Sequence, residues 1–116
     1  MRQAGVLAAA GLIALEEGPK RLHEDHANAR LLAEAVAQVE GVEIDLEAVE
    51  TNIVIFRLTS GDAAGFCAEL KREGVIGSAI GPDAVRFVTH CDVSREDCVR
   101  AAELSVQVLG RKLAAV

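Results

Sequence analysis

The chain has 116 residues, of which 51% are hydrophobic and only two are proline, which excludes a disordered tail, a collagen-like chain and a proline-rich linker. Lys and Arg number 12 against 18 Asp and Glu, so the net charge is −6. This acidic balance, the scattered basic residues and the absence of Trp and Tyr argue against nucleic-acid binding and against an anionic membrane surface.

Residues 1–15 form an Ala-rich segment that is apolar on all sides and rich in good helix formers. A helix of this kind is normally buried in a large protein, an oligomer interface or a membrane. The apolar run 4–15 is too short to span a bilayer, and no capping residue precedes it. We therefore expect this segment to continue from a further part of a longer protein.

The residues 16–19, Glu-Glu-Gly-Pro, predict a break between two helices, with Gly18 ending the first and Pro19 opening the second. The second helix is predicted to reach Val39, and Gly41 ends it. Its apolar stripe has near 3.6-residue spacing and consists of Leu22, Ala29, Leu32, Val36 and Val39. Residues 1–40 are thus predicted to form a long helical arm with one interruption.

Four strand-like segments follow, and one helix is predicted between the second and the third, with another after the fourth. The strands are predicted at 42–46, 51–58, 75–80 and 84–89, and the helices at 61–73 and 95–113. Ser94 and Asp97 have the spacing of a capping box at the start of the last helix. The predicted inner face of that helix consists of Cys98, Ala101, Ala102, Ser105, Val108 and Leu109. Short connections between consecutive strands favour antiparallel pairing. We expect an α+β two-layer sandwich, in which residues 41–116 form a small, mostly antiparallel sheet with helices on one face.

The cysteines Cys67, Cys91 and Cys98 are odd in number and widely spaced, which argues against disulfides or a zinc site and favours a reducing compartment, the cytoplasm. Phosphate loops, nucleophile elbows and zinc-protease motifs are absent from the sequence. His23 and His26 are three residues apart on a predicted helix, a spacing that can share a metal. With no third ligand in view, we interpret them as a polar helix face and assign no metal site.

Two arginines are unusual in their surroundings. Arg86 lies between Val85 and Phe87 in a predicted strand, so its side chain points to the opposite face of the sheet. That face is either open to water, or it meets another domain and Arg86 binds an anion there. Arg2 opens an apolar helix, where a cation opposes the helix dipole unless an anion lies nearby or the residue is exposed.

Four segments carry a family resemblance: 1–11 (MRQAGVLAAAG), 23–30 (HEDHANAR), 50–54 (ETNIV) and 85–96 (VRFVTHCDVSRE). From Met1 to about Val108 the chain resembles the low-specificity L-threonine aldolases, a family of pyridoxal-phosphate (PLP) enzymes of fold type I. The resemblance implies the C-terminal portion of such an enzyme, in which the helical arm 1–40 links to a large PLP domain outside this chain. Arg86 then matches the arginine that binds the α-carboxylate of the amino-acid substrate, and Arg2 matches an arginine near the cofactor at a subunit interface. His90 is expected to be structural.

The resemblance also implies that PLP is held by a lysine in a Ser-Lys-Gly context ahead of residue 1. Lys20, Lys71 and Lys112 are the chain's three lysines, and none has this context. We therefore assign no catalytic residue to the chain and expect it to bind no PLP and to be inactive alone.

The intact enzyme is expected to be a lyase that cleaves threonine or allo-threonine to glycine and acetaldehyde. We expect a homo-oligomer formed through the apolar first helix. The alternative is a stand-alone module that binds an amino acid or dimerises without catalysis.

Overall fold

A computed structural model describes residues 4–114 and shows three helices and a four-stranded sheet. The elements are α1 (Ala4–Ala37), β1 (Val42–Glu43), a 3₁₀ turn (Leu46–Ala48), β2 (Ile53–Leu58), α2 (Ala63–Arg72), β3 (Ser78–Ala79), β4 (Ala84–Val88) and α3 (Arg95–Ala114). The strand order is β1-β2-β4-β3, and every neighbouring pair is antiparallel. The predicted α+β class, with a small antiparallel sheet and a long N-terminal helix, is confirmed.

The core lies between one face of the sheet and the helices. Alternation along β2 buries Val54, Phe56 and Leu58 and leaves the residues between them exposed. The ring of Phe56 meets those of Phe66 and Phe87 edge-to-face, at centroid distances of 6.0 and 5.4 Å. Three phenylalanines from β2, α2 and β4 therefore form the centre of the core.

The start of α3 has the predicted capping box. The Asp97 N–H donates to Ser94 Oγ at 3.1 Å, and the Ser94 N–H donates to Asp97 Oδ2 at 3.0 Å. The hydrogen bond that the Ser94 N–H donates to the carboxylate lowers the pKa of Asp97. The expected inner face is also found, with Cys98, Ala102 and Ser105 buried.

The predicted break at residues 16–19 is wrong, because α1 is one continuous helix of 34 residues with Pro19 inside it. Proline removes one backbone hydrogen bond and crowds the residue before it. Gly18 has no Cβ to be crowded, so it can remain helical before Pro19. Leu22 was expected in the core but is 48% exposed.

All four strands are shorter than predicted, and two of them have only two residues. Only Val42 and Glu43 pair with β2, since the Asp45 side chain accepts a hydrogen bond from the Glu47 N–H and begins the 3₁₀ turn. Between α2 and β4, only Ser78 and Ala79 are strand residues, because the Val75 N–H bonds back to the end of α2.

Most of α1 extends away from the core. Its buried residues all lie in its last third and are Asn28, Ala29, Leu32, Ala33 and Val36. Residues 4–24 are the exposed part of the predicted helical arm 1–40, and only these residues are called the arm from here on. The arm makes the molecule 57 Å long but only about 25 Å wide. Within residues 4–114, no helix is both long and apolar enough to cross a membrane. The division into domains at residue 40 stays a prediction.

Candidate functional site

Arg86 lies at the middle of β4, between Ile55 of β2 and Ser78 of β3 in the antiparallel register. Its two neighbours, Val85 and Phe87, are buried, and its own side chain is exposed on the opposite face of the sheet. The predicted orientation of Arg86 is therefore confirmed. Among the residues that the structure describes, none forms a side-chain hydrogen bond or ion pair with its guanidinium.

Ser78 of β3 lies beside Arg86, but most of the surface around Arg86 is apolar. We call it the open face, and its large apolar side chains, each between 42 and 48% exposed, are Ile53, Ile55, Ile80 and Val88. Another arginine of β2, Arg57, is also exposed, but it lies 3.9 Å from the Asp83 carboxylate. The open face thus presents one unpaired guanidinium in an apolar setting. A carboxylate would bind such a group more strongly once the face is covered, because the local dielectric constant falls.

The covered side of β4 holds Arg86 in place. Phe87 is 4% exposed, and Gly77 packs directly against its ring. A Cβ at Gly77 would lie only 2.5 Å from Phe87 Cε1, so glycine is needed for this close approach. Tight packing on the covered face of the sheet therefore holds the strand that carries Arg86.

Thr89 is a buried polar residue that was not among the candidates from the sequence, and its carbonyl accepts a hydrogen bond from the Asn52 side-chain amide at 2.7 Å. Thr89 is 2% exposed, and its hydroxyl donates to the Asp25 carbonyl of α1 at 2.7 Å. The sequence feature that could have identified Thr89 is the strand alternation, because Thr89 follows Val85 and Phe87 on the inward side. A buried polar residue at such a position requires a partner.

The three lysines are either exposed or held in ion pairs. Lys112 Nζ donates to Asp62 Oδ2 at 2.9 Å and lies 3.6 Å from Glu69 Oε1. The hydrogen bond to Asp62 raises the pKa of Lys112, which favours the protonated form rather than the neutral amine that attacks a carbonyl. Lys20 and Lys71 are exposed on α1 and α2. The described residues therefore do not fit the complete cofactor site.

The other candidate residues of the sequence are Arg2, His23, His26 and His90. Arg2 lies outside the described residues. His23 and His26 are exposed on α1, and no group of three or more potential metal ligands occurs within residues 4–114. His90 Nδ1 accepts a hydrogen bond from the Asp92 N–H at 3.2 Å, which stabilises the turn after β4.

Comparison with known proteins places the chain in a family. The family model for the beta-eliminating lyases matches residues 1–59, half of the chain. The chain belongs to the beta-eliminating lyase family. Low-specificity L-threonine aldolase 1 of Arabidopsis thaliana is 34% identical over 92% of this chain and 32% of its own length. The low specificity L-threonine aldolase of Escherichia coli strain K12 is 40% identical over 88% of this chain and 29% of its own length.

These matches confirm the resemblance to the low-specificity L-threonine aldolases. The chain spans about a third of the length of these family members. Solved structures share its fold. MppP soaked with the product 2-ketoarginine aligns over 83% of this chain and 30% of its own, with a TM-score of 0.66 and 19% identity. Ornithine aminotransferase from Plasmodium yoelii aligns over 72% and 23%, with a TM-score of 0.58 and 12% identity.

Proposed function

We propose that the chain is the C-terminal, carboxylate-binding part of an L-threonine aldolase, a PLP-dependent lyase that cleaves threonine or allo-threonine to glycine and acetaldehyde. The observation that carries the proposal is the exposed, unpaired Arg86 guanidinium on the open face. The identity of 34 to 40% with threonine aldolases supports this choice of reaction.

In this proposal Arg86 binds the α-carboxylate of the amino acid. A guanidinium offers two parallel N–H donors that match the two carboxylate oxygens, whereas an ammonium group cannot make this bidentate contact. Fixing the carboxylate restricts rotation of the substrate about its Cα. This rotation decides which bond at Cα is aligned for cleavage, so Arg86 contributes positioning.

PLP and the lysine that holds it belong, in this proposal, to the part of the enzyme that this chain lacks. When bound, PLP supplies the electron sink for cleavage of the Cα–Cβ bond. The exposed positions of Lys20 and Lys71 and the ion pairs of Lys112 support this assignment. Arg2 is proposed to lie near the cofactor at a subunit interface. A cytoplasmic location is proposed as well, and the free cysteines support it. The net charge of −6 and the absence of Trp and Tyr support the proposal that neither a nucleic acid nor a membrane is a partner.

We further propose that the arm pairs with a second copy of the chain. Val6, Leu7, Leu12 and Ile13 are between 59 and 72% exposed, and contact with a second arm would bury them. Light scattering is expected to show association that weakens when Leu12 and Ile13 are both replaced by Gln. The matched control replaces Val99 and Val106, which are exposed on α3, with Gln. This control should leave the mass of the assembly measured by light scattering unchanged. A monomeric wild type at high concentration would contradict the pairing.

The proposed function is tested by comparing the chain alone with a completed enzyme. We define the completed enzyme as the E. coli aldolase in which this chain replaces the segment it matches. The chain alone should release no acetaldehyde from threonine and show no new absorbance band with PLP, whereas the completed enzyme should release acetaldehyde. A stable PLP band or turnover by the chain alone would contradict the proposal. A thermal shift of the chain alone with threonine would favour the stand-alone module.

A further inference from the structure

Thr89 joins three elements at the end of the strand that carries Arg86. Its hydroxyl donates to the Asp25 carbonyl in α1 at 2.7 Å, and its N–H donates to the Asn52 carbonyl at 2.9 Å. The Asn52 side-chain amide returns a hydrogen bond to the Thr89 carbonyl at 2.7 Å. Thr89 therefore uses its hydroxyl, its N–H and its carbonyl to hold β4 against α1 and the start of β2. We call these three bonds the Thr89 latch.

The latch lies where the arm meets the core. Asp25 is partly buried, the residues ahead of it are mostly exposed, and Asn28 and Ala29 just after it are buried. Asn28 Oδ1 also receives a hydrogen bond from the Arg95 guanidinium at 3.5 Å, which ties the start of α3 to the same turn of α1. These bonds and the packing of the buried residues between Asn28 and Val36 together orient the arm relative to the core.

The same latch fixes the position of β4. Asn52 immediately precedes β2, whose Ile53 pairs with Val88, so the two bonds between Asn52 and Thr89 extend the ladder by one more pair. Arg86 is three residues before Thr89, about 10 Å along an extended strand. A shift of β4 would therefore move the guanidinium and the base of the arm relative to each other.

We propose that Thr89 is a positioning residue: its buried hydroxyl locks the Arg86 strand to the base of the arm and so sets where the carboxylate-binding guanidinium stands. This inference rests on the proposed function of Arg86. It goes beyond that function, because it assigns a role to a residue that itself touches no substrate.

The first test uses the 116-residue chain. Thr89→Val removes the hydroxyl but keeps the shape, and Thr89→Ser keeps the hydroxyl. The matched control is Ser105→Ala, since the Ser105 hydroxyl is also buried but donates at 2.7 Å to Ala101 within its own helix. Residual dipolar couplings should show a changed angle between α1 and the sheet in Thr89→Val only. Hydrogen exchange of the Thr89 amide should accelerate about tenfold in Thr89→Val and about twofold or less in Thr89→Ser.

Two outcomes of this test would overturn the latch. One is an unchanged angle together with unchanged exchange in a folded Thr89→Val. The other is a Thr89→Ser variant that changes as much as Thr89→Val, since the hydroxyl would then be irrelevant.

The second test uses the completed enzyme and separates the latch from the function on which it rests. Thr89→Val should raise KM for threonine about threefold to tenfold and should also lower kcat, because a displaced guanidinium aligns the substrate less well, and Thr89→Ser should restore both values. If Arg86→Ala raises KM while Thr89→Val does not, the positioning role falls and the proposed function stands. If Arg86→Ala leaves KM unchanged, the proposed function falls.

Discussion

The two faces of the sheet have different surroundings. On the covered face, Val54, Phe56 and Val85 are buried against helices of the same chain. On the open face, Ile53, Ile55 and Val88 remain more than 40% exposed and surround Arg86. The same alternation along β2 and β4 produces both faces, so the difference comes from what packs on them.

This comparison separates the residues that make the fold from those available for function. The covered face is complete within the described chain, with its phenylalanines in mutual contact. The open face has the apolar composition of an interface and a central cation suited to a carboxylate. The chain therefore contains a packed core on one face of the sheet and an exposed apolar surface around Arg86 on the other, and it spans about a third of the length of its relatives.

The largest expected effect is a difference in stability between Phe56 and Ile55, two neighbouring residues of β2 that lie on opposite faces of the sheet. Phe56→Ala should lower the free energy of unfolding by about 3–5 kcal/mol, because it empties the centre of the core. Ile55→Ala, on the open face, should cost less than about 1 kcal/mol. Urea unfolding of both variants measures the difference, and Phe56→Leu gives a milder step if Phe56→Ala does not fold. Equal losses at the two positions would remove the distinction between the faces.

A second prediction sharpens the comparison at the strand that carries Arg86. Gly77→Ala should cost about 1–3 kcal/mol, because its Cβ would meet the buried Phe87 ring. The control is Gly110→Ala in α3, where the added Cβ would have no neighbour within 4 Å beyond the adjacent residues and the backbone of its own helix. A better helix former there should stabilise by up to about 1 kcal/mol. Thermal unfolding of both variants tests the pair, and a neutral Gly77→Ala would show that Phe87 can move.

Much of the fold follows from the sequence because strand alternation and helix periodicity are local. The orientation of Arg86 and the inner face of α3 follow from them directly. The Thr89 latch could not be predicted in the same way, because its partner Asp25 is 64 residues away in the chain. The continuous α1 was missed because Gly18 and Pro19 form a usual helix break, and only the packing of the whole helix overrides it. The role of Arg86 came from the family resemblance, since alternation alone left its face either solvated or in contact with another domain.

The smallest predicted effect is a pH dependence on the covered side. Asp62 joins α2 to Lys112 of α3, and this hydrogen bond, with that from the Gly65 N–H, lowers the pKa of the Asp62 carboxyl below its ordinary 3.8. The native chain thus holds this proton less tightly than the unfolded chain. The stabilisation is therefore present above pH 3.8 and lost as the pH falls through the native pKa.

Asp62→Asn keeps the helix cap but removes the charge. Its urea midpoint should fall less between pH 6 and pH 3 than that of the wild type. Lys112→Met should also reduce this fall, because it removes the partner of Asp62. An identical fall in all three proteins would contradict the assignment.

The central claim, that Arg86 on the open face binds the substrate carboxylate, is tested most directly by steady-state kinetics of the completed enzyme with threonine. Arg86→Ala should raise KM by about tenfold to a hundredfold, and Arg86→Lys should restore only part of the loss because it lacks the planar fork. Arg57→Ala, which removes another exposed arginine of the same sheet, should leave KM unchanged. Equal KM values for the wild type and Arg86→Ala, or equal increases for Arg86→Ala and Arg57→Ala, would contradict the claim.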